Sequence, residues 1–117
     1  MQRNEKLFLY EIKDGTLEIK LSGEIDHHSA VGVRSDIDEL IFFARPQKTV
    51  LDLSKISFMD SSGLGLIMGR YSLMKEFGGS LALRSPTEAV MKILTLAGMD
   101  KVIKIEKTQK EKNNEEK

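Results

Sequence analysis

The period of the hydrophobic pattern changes at Asp26, and that change restricts the folds open to this chain. Before it, in "TLEIKLS", Leu17, Ile19 and Leu21 alternate with Glu18 and Lys20. A period of two belongs to a half-buried strand. After it, Ala30, Val33, Ile37, Leu40, Ile41 and Ala44 recur mainly three and four residues apart. That is the single apolar face of a helix. Asp26 stands at the hand-over, where a carboxylate can cap the helix. A strand that feeds a helix and then another strand implies a parallel neighbour reached by a right-handed crossover.

The rest of the chain repeats this grammar. Leu7 to Lys13 mixes apolar and polar residues as a strand does, and Asp14-Gly15 then marks a two-residue hairpin, because such turns need positive φ. Arg45-Pro46 ends the first helix, since the residue before proline avoids the helical region. "TVLDL" (Thr49 to Leu53) reads as a central strand covered on both faces. Asp52 within it is expected at the strand's end, bonded to a loop. A second helix starts near Ser61, runs to about Phe77 and stops at Gly78-Gly79. "SLALR" from Ser80 and "VIKI" from Val102 are further strands.

Between them, Ser85-Pro86-Thr87-Glu88 predicts a capping box, with Ser85 as the cap and Pro86 in the first helical position. Val90, Ile93, Leu94 and Ala97 supply that helix's apolar face, and Gly98 stops it. The order β-β-α-β-α-β-α-β predicts an α/β fold: a mixed four- to five-stranded sheet with an N-terminal antiparallel hairpin, βαβ units and three main helices. The helices are expected on one face of the sheet, leaving the other partly open. Residues 1–106 form one domain in this reading, and 107–117, which carry no apolar residue, form a disordered charged tail.

Composition removes several function classes. Eighteen basic residues balance eighteen acidic ones, so no net field recruits nucleic acid or acidic lipid. With no cysteine, thiolate metal sites, disulfides and a cysteine nucleophile are excluded, and a cytoplasmic location fits. "LIFFA" from Leu40 is far too short to cross a bilayer. His27 and His28 point about 100° apart on a helix and have no third imidazole or thiolate to join them, so no metal is expected.

The chemistry-bearing stretch is "SFMDSSGLGLIMGRY", Ser57 to Tyr71. It is not a nucleophile elbow: the G-x-S-x-G frame is missing and both histidines precede the serines. Gly63, Gly65 and Gly69 run G-x-G-x-x-x-G, without the dinucleotide spacing or a Walker lysine, so a nucleotide site is weakly supported. On a helical wheel Leu64, Ile67, Met68, Tyr71 and Met74 gather on one side, read as the core side. Ser62, Gly65, Gly69, Ser72 and Glu76 gather nearly opposite, flanked by Leu66 and Leu73. Two glycines on an outer face cost up to ~2 kcal/mol of helix stability. Close intramolecular packing is one compensation; the approach of another protein to bare backbone is the other, and the strip's position opposite the core face favours it. A serine at a helix start beside Asp60 is also how a phosphate switch would be built, since phosphate adds about −1.5 to −2 charge. Spacing alone does not choose between Ser61 and Ser62. In "GEIDHHSA", Asp26 is expected at the same sheet edge as the Asp60 loop.

"GEIDHH" and "SFMDSSGLGLIMGRY" together resemble the STAS domains of bacterial anti-sigma factor antagonists, those of sporulation above all. The resemblance spans roughly Leu17 to Ile105, and neither motif departs from the family pattern. It implies a binding module, not an enzyme, with no cofactor of its own. It implies phosphorylation of Ser61 by the anti-sigma factor, itself a nucleotide-bound serine kinase, with Ser62 in support and Asp26 in partner contact. The unphosphorylated form would bind that partner and release a sigma factor; a PP2C-type phosphatase would restore it. Asp60, Gly63, Gly65 and Gly69 complete the expected partner surface. A general-stress sigma pathway or a nucleotide-binding STAS module are the alternatives, and neither nucleic acid nor membrane is an expected partner.

Overall fold

The computed structural model describes residues 8–107. Leu7, and the expected tail beyond Lys107, lie outside the described residues. Strand β1 (Phe8–Lys13) turns through Asp14-Gly15 into β2 (Thr16–Ile25). Both turn residues have positive φ, 53° and 79°, the turn whose twist matches a hairpin. Helix α1 (His27–Ala44) leads to β3 (Lys48–Met59), α2 (Ser61–Glu76) to β4 (Ser80–Arg84), and α3 (Glu88–Leu96) with a 3-10 turn (Met99–Lys101) to β5 (Lys104–Glu106). The sheet order is β1-β2-β3-β4-β5. The first pair is antiparallel and the other three are parallel, as the crossovers require.

Register assigns the two faces. Leu17, Ile19, Leu21, Leu51, Leu53 and Leu83 join Val33, Ile37, Ile41, Ile67, Met74, Val90 and Leu94 in one continuous core beneath the helices. The opposite face carries the register-matched sets Glu18, Val50 and Ala82, and Lys20, Asp52 and Arg84. It is polar at Glu18, Lys20 and Arg84, while Asp52 on it is buried. Arg84 spans Glu18 at 3.0 Å and Glu106 at 3.7 Å, and Lys48 meets Glu106 at 2.8 Å. The Lys48 hydrogen bond chiefly holds the Glu106 carboxyl below its ordinary value. Val50 and Ala82 stay buried on this face, which the stems of long charged side chains can cover.

The structure departs from the sequence reading in four places. Strand β3 is twelve residues long rather than five, because it follows β2 to its end through two register shifts. Asp52 is therefore inside the strand: at the first shift it accepts hydrogen bonds from the Ser54 N–H (2.9 Å) and hydroxyl (2.7 Å). The last strand begins at Lys104, with Ile103 buried just before it. Helix α3 is capped by Thr87, not Ser85. The Ser85 N–H is drawn to the Glu106 carbonyl at 2.7 Å, which continues the ladder beyond β4. Thr87 Oγ1 accepts from Val90 N at 3.3 Å and donates to the Ile56 carbonyl at 3.1 Å, pinning the helix to β3. Ala97, expected on the apolar face of α3, is exposed.

Candidate functional site

Strands β2 and β3 are parallel, so their C-terminal ends reach the same edge of the sheet. Ile25 and Met59 are the last register pair, and the Asp60 N–H donates to the Ile25 carbonyl at 3.1 Å. The two acidic loops are thereby tied together. Each aspartate ends a strand and caps the helix that follows. Asp26 Oδ1 accepts from the N–H groups of His28 (3.0 Å) and Ser29 (2.9 Å). Ser29 Oγ closes the box by accepting from the Asp26 N–H at 3.0 Å. The Ser29 N–H is the main reason that the Asp26 carboxyl is held below its ordinary value. Every hydrogen bond that the Asp26 carboxylate accepts among the described residues falls on Oδ1, which leaves Oδ2 for an external donor. Asp60 Oδ1 accepts from the Ser62 N–H at 2.8 Å.

The two serines differ. Ser61 is exposed in the first helical position of α2, and no hydrogen bond among the described residues engages its hydroxyl. Ser62 is half-buried and lines a groove between α1 and α2 with His27, Ala30, Val31, Arg34, Gly65 and Leu66. Among the described residues no histidine is hydrogen-bonded to either serine.

Helix α2 is rolled relative to the wheel reading by a little under one residue's step of ~100°. Its buried residues are Gly63, Leu66, Ile67, Arg70 and Met74, whereas Leu64 and Tyr71 are half-buried and Met68 is 36% exposed. The rolled arrangement contains an ion pair that only the assembled helices create. Arg70 Nε lies 2.7 Å from Asp38 Oδ1 of α1, and Nη1 donates to the Leu66 carbonyl at 3.1 Å. Burial of Arg70 opposes its charge and Asp38 supports it.

The expected small-residue strip divides accordingly. A Cβ on Gly65 or Gly69 would meet no atom of a neighbouring element within 4 Å among the described residues, so packing among these does not explain either glycine. Gly63 is not on the surface: a Cβ there would overlap the Met59 side chain, with Sδ only 2.7 Å away. Sequence reasoning missed Met68, which it placed in the core, and Arg34 and Val31. The spacing held a signal for Met68: Ser61, Gly65, Met68 and Ser72 stand four, seven and eleven residues along one line, and all are exposed. This ridge begins at the free hydroxyl and runs down bare backbone to an adaptable thioether.

Among the described residues no helix is long and apolar enough to cross a membrane. The model of the STAS domain family matches residues 8–112. An anti-sigma F factor antagonist of Paenibacillus polymyxa is 42% identical over 91 residues, 78% of each chain. An anti-sigma-B factor antagonist of Bacillus subtilis is 30% identical over 93 residues, 79% of this chain and 83% of its own. The solved structure of the anti-sigma factor antagonist SpoIIAA in its unphosphorylated form superposes with a TM-score of 0.76 at 30% identity, covering 92% of this chain and 94% of that one. The phosphorylated form of the Bacillus cell fate determinant SpoIIAA gives 0.70 at 29%, covering 94% and 99%. With paired acidic caps, a free helix-start serine and this sheet order, the chain belongs to the STAS domain family, in the company of anti-sigma factor antagonists.

Proposed function

We propose that this chain is an anti-sigma factor antagonist that binds its anti-sigma factor while unphosphorylated and is switched off by phosphorylation of Ser61. The observation that carries the reading is the Ser61 hydroxyl: exposed, unengaged, and at the head of a ridge made bare by Gly65. A kinase can reach it without unfolding anything. Phosphate there adds about −1.5 to −2 charge at the positive end of a helix, which the fold tolerates. A docked protein does not tolerate it, because the phosphate joins the Asp60 carboxylate in one negative cluster. A thousandfold loss of affinity needs only about 4 kcal/mol, within reach of one desolvated, badly paired phosphate. That SpoIIAA has been solved in both phosphorylation states, and that both superpose on this chain, supports a switch read at the surface.

The kinase is the anti-sigma factor with its bound nucleotide, and a PP2C-type phosphatase reverses the mark; both follow from the motif resemblance, as does the sporulation pathway. The higher identity to an anti-sigma F antagonist than to an anti-sigma-B antagonist favours the sigma F type of partner. Asp26 contributes through its unengaged Oδ2, and Ser62, Gly65 and Gly69 through the surface beside the switch.

The test is phosphorylation of the purified protein by its anti-sigma factor with ATP, mapped by mass spectrometry. Ser61 is the expected site, and phosphate found only on Ser29 or Ser85 ends the assignment. Ser61→Ala is expected to bind the anti-sigma factor persistently and Ser61→Asp to bind poorly. Equal affinities would remove charge as the switch.

A further inference from the structure

Two guanidinium groups, Arg34 and Arg70, lie near one carboxylate between α1 and α2, and only Arg70 pairs with it. Arg34 and Asp38 stand one turn apart on α1, the spacing at which such a pair normally meets. Asp38 instead gives Oδ1 to Arg70 Nε at 2.7 Å, with Oδ2 3.4 Å from Nη2. Arg34 has no ion pair among the described residues, and its charge opposes that of Arg70. It is exposed and reaches the groove bounded by Ser62 and Gly65, whose lining holds His27 and no carboxylate. The rest of the groove is apolar: Ala30 and Leu66 are buried in it, and Val31 stands 55% exposed at the rim.

We infer that this groove receives a carboxylate-bearing side chain of the anti-sigma factor, with Arg34 as its ion-pair partner and thus a determinant of which anti-sigma factor is accepted. The inference rests on the proposed function and deepens it. The groove is continuous with the exposed ridge through Gly65, so a protein lying along Ser61, Gly65 and Met68 covers Arg34 as well. Covering an uncompensated cation is unfavourable unless the partner brings the missing charge. An acid there supplies it, while a basic residue would meet Arg34 beside His27 with no carboxylate in the lining. Such a contact governs discrimination and association rate more than total affinity.

The experiment titrates the full chain against purified anti-sigma factor at two salt concentrations. Arg34→Glu is expected to weaken binding about a hundredfold and Arg34→Ala about tenfold, with a reduced salt dependence in the latter. Arg34→Ala is expected to unfold at the same temperature as the parent or higher, since a repulsion on Arg70 is removed; a merely structural role would lower it. Reversing the charge of one acidic residue of the anti-sigma factor is expected to restore binding to Arg34→Glu. If Arg34→Glu binds within about twofold of the parent while Ser61→Asp fails to bind, this inference falls and the function stands. If the unmodified parent itself does not bind, the functional reading falls and takes the inference with it. Saturable binding of inorganic phosphate or ATP by the isolated chain, lost in Arg34→Ala, would also overturn it by making a small anion the occupant.

Discussion

The inward and outward faces of α2 break the usual rule in opposite senses. Inward, the helix buries Arg70 and a glycine; outward, it exposes Met68 and Gly65, with Gly69 half-buried beside them. A helix that served only its own fold would place the methionine inside and the arginine outside. The inward exceptions are satisfied within the molecule. Asp38 answers Arg70, and Met59 fills the space that a Gly63 side chain would take. The outward exceptions are satisfied by nothing among the described residues, since Gly65 and Gly69 face open space. The same residue type is thus a packing requirement on one side and, in the proposed reading, part of a partner surface on the other, and substitutions should separate the two.

The largest effect on stability is expected inside. Asp38→Ala leaves Arg70 buried without its counter-charge and should cost about 2–3 kcal/mol, less than for a fully buried pair because Asp38 remains partly in water. Denaturant unfolding measures it, and a loss below about half a kcal/mol would mean that Arg70 finds water instead. Next comes Gly63→Ala. Met59 is 1% exposed and cannot swing into solvent, so the added methyl overpacks the junction of β3 and α2 at about 1–3 kcal/mol. An unchanged midpoint would show that Met59 has room to move. The smallest effect has the opposite sign. Gly65→Ala should stabilise the domain by about 0.5–1 kcal/mol, raising its melting temperature by a few degrees, while weakening anti-sigma factor binding. Gly69→Gln should behave alike. Were either to destabilise the fold, the outer face would be a packing surface and the contrast would disappear.

Much of the architecture could be read along the chain because it rests on local signals. Asp14-Gly15 names its own turn, and Arg45-Pro46 forbids its helix to continue; Arg45 indeed leaves it with φ at 46°. Asp26 and Asp60 cap the helices that they precede in sequence. Reading failed where distant segments compete for one group. Ser85 is a good cap by composition, but its N–H belongs to the ladder with β5, and Thr87 gains a second bond 31 residues away at Ile56. The second half of β3, "SKISFM", buries Ile56 and Met59, three residues apart, which departs from a strand's period of two; pairing with β2 carries it on.

The candidate site shows the same division. The sequence by itself determined the order of elements, the hairpin, and the meeting of the Asp26 and Asp60 loops at one sheet edge, because each follows from neighbours a few residues apart and from the handedness of crossovers. Tertiary structure alone decided how far α2 is rolled, which of Ser61 and Ser62 is the more exposed, and which glycines are bare. Helical periodicity sets angles between residues but not the direction in which the whole helix faces. That direction comes from docking, where one arginine on α2 found one aspartate on α1.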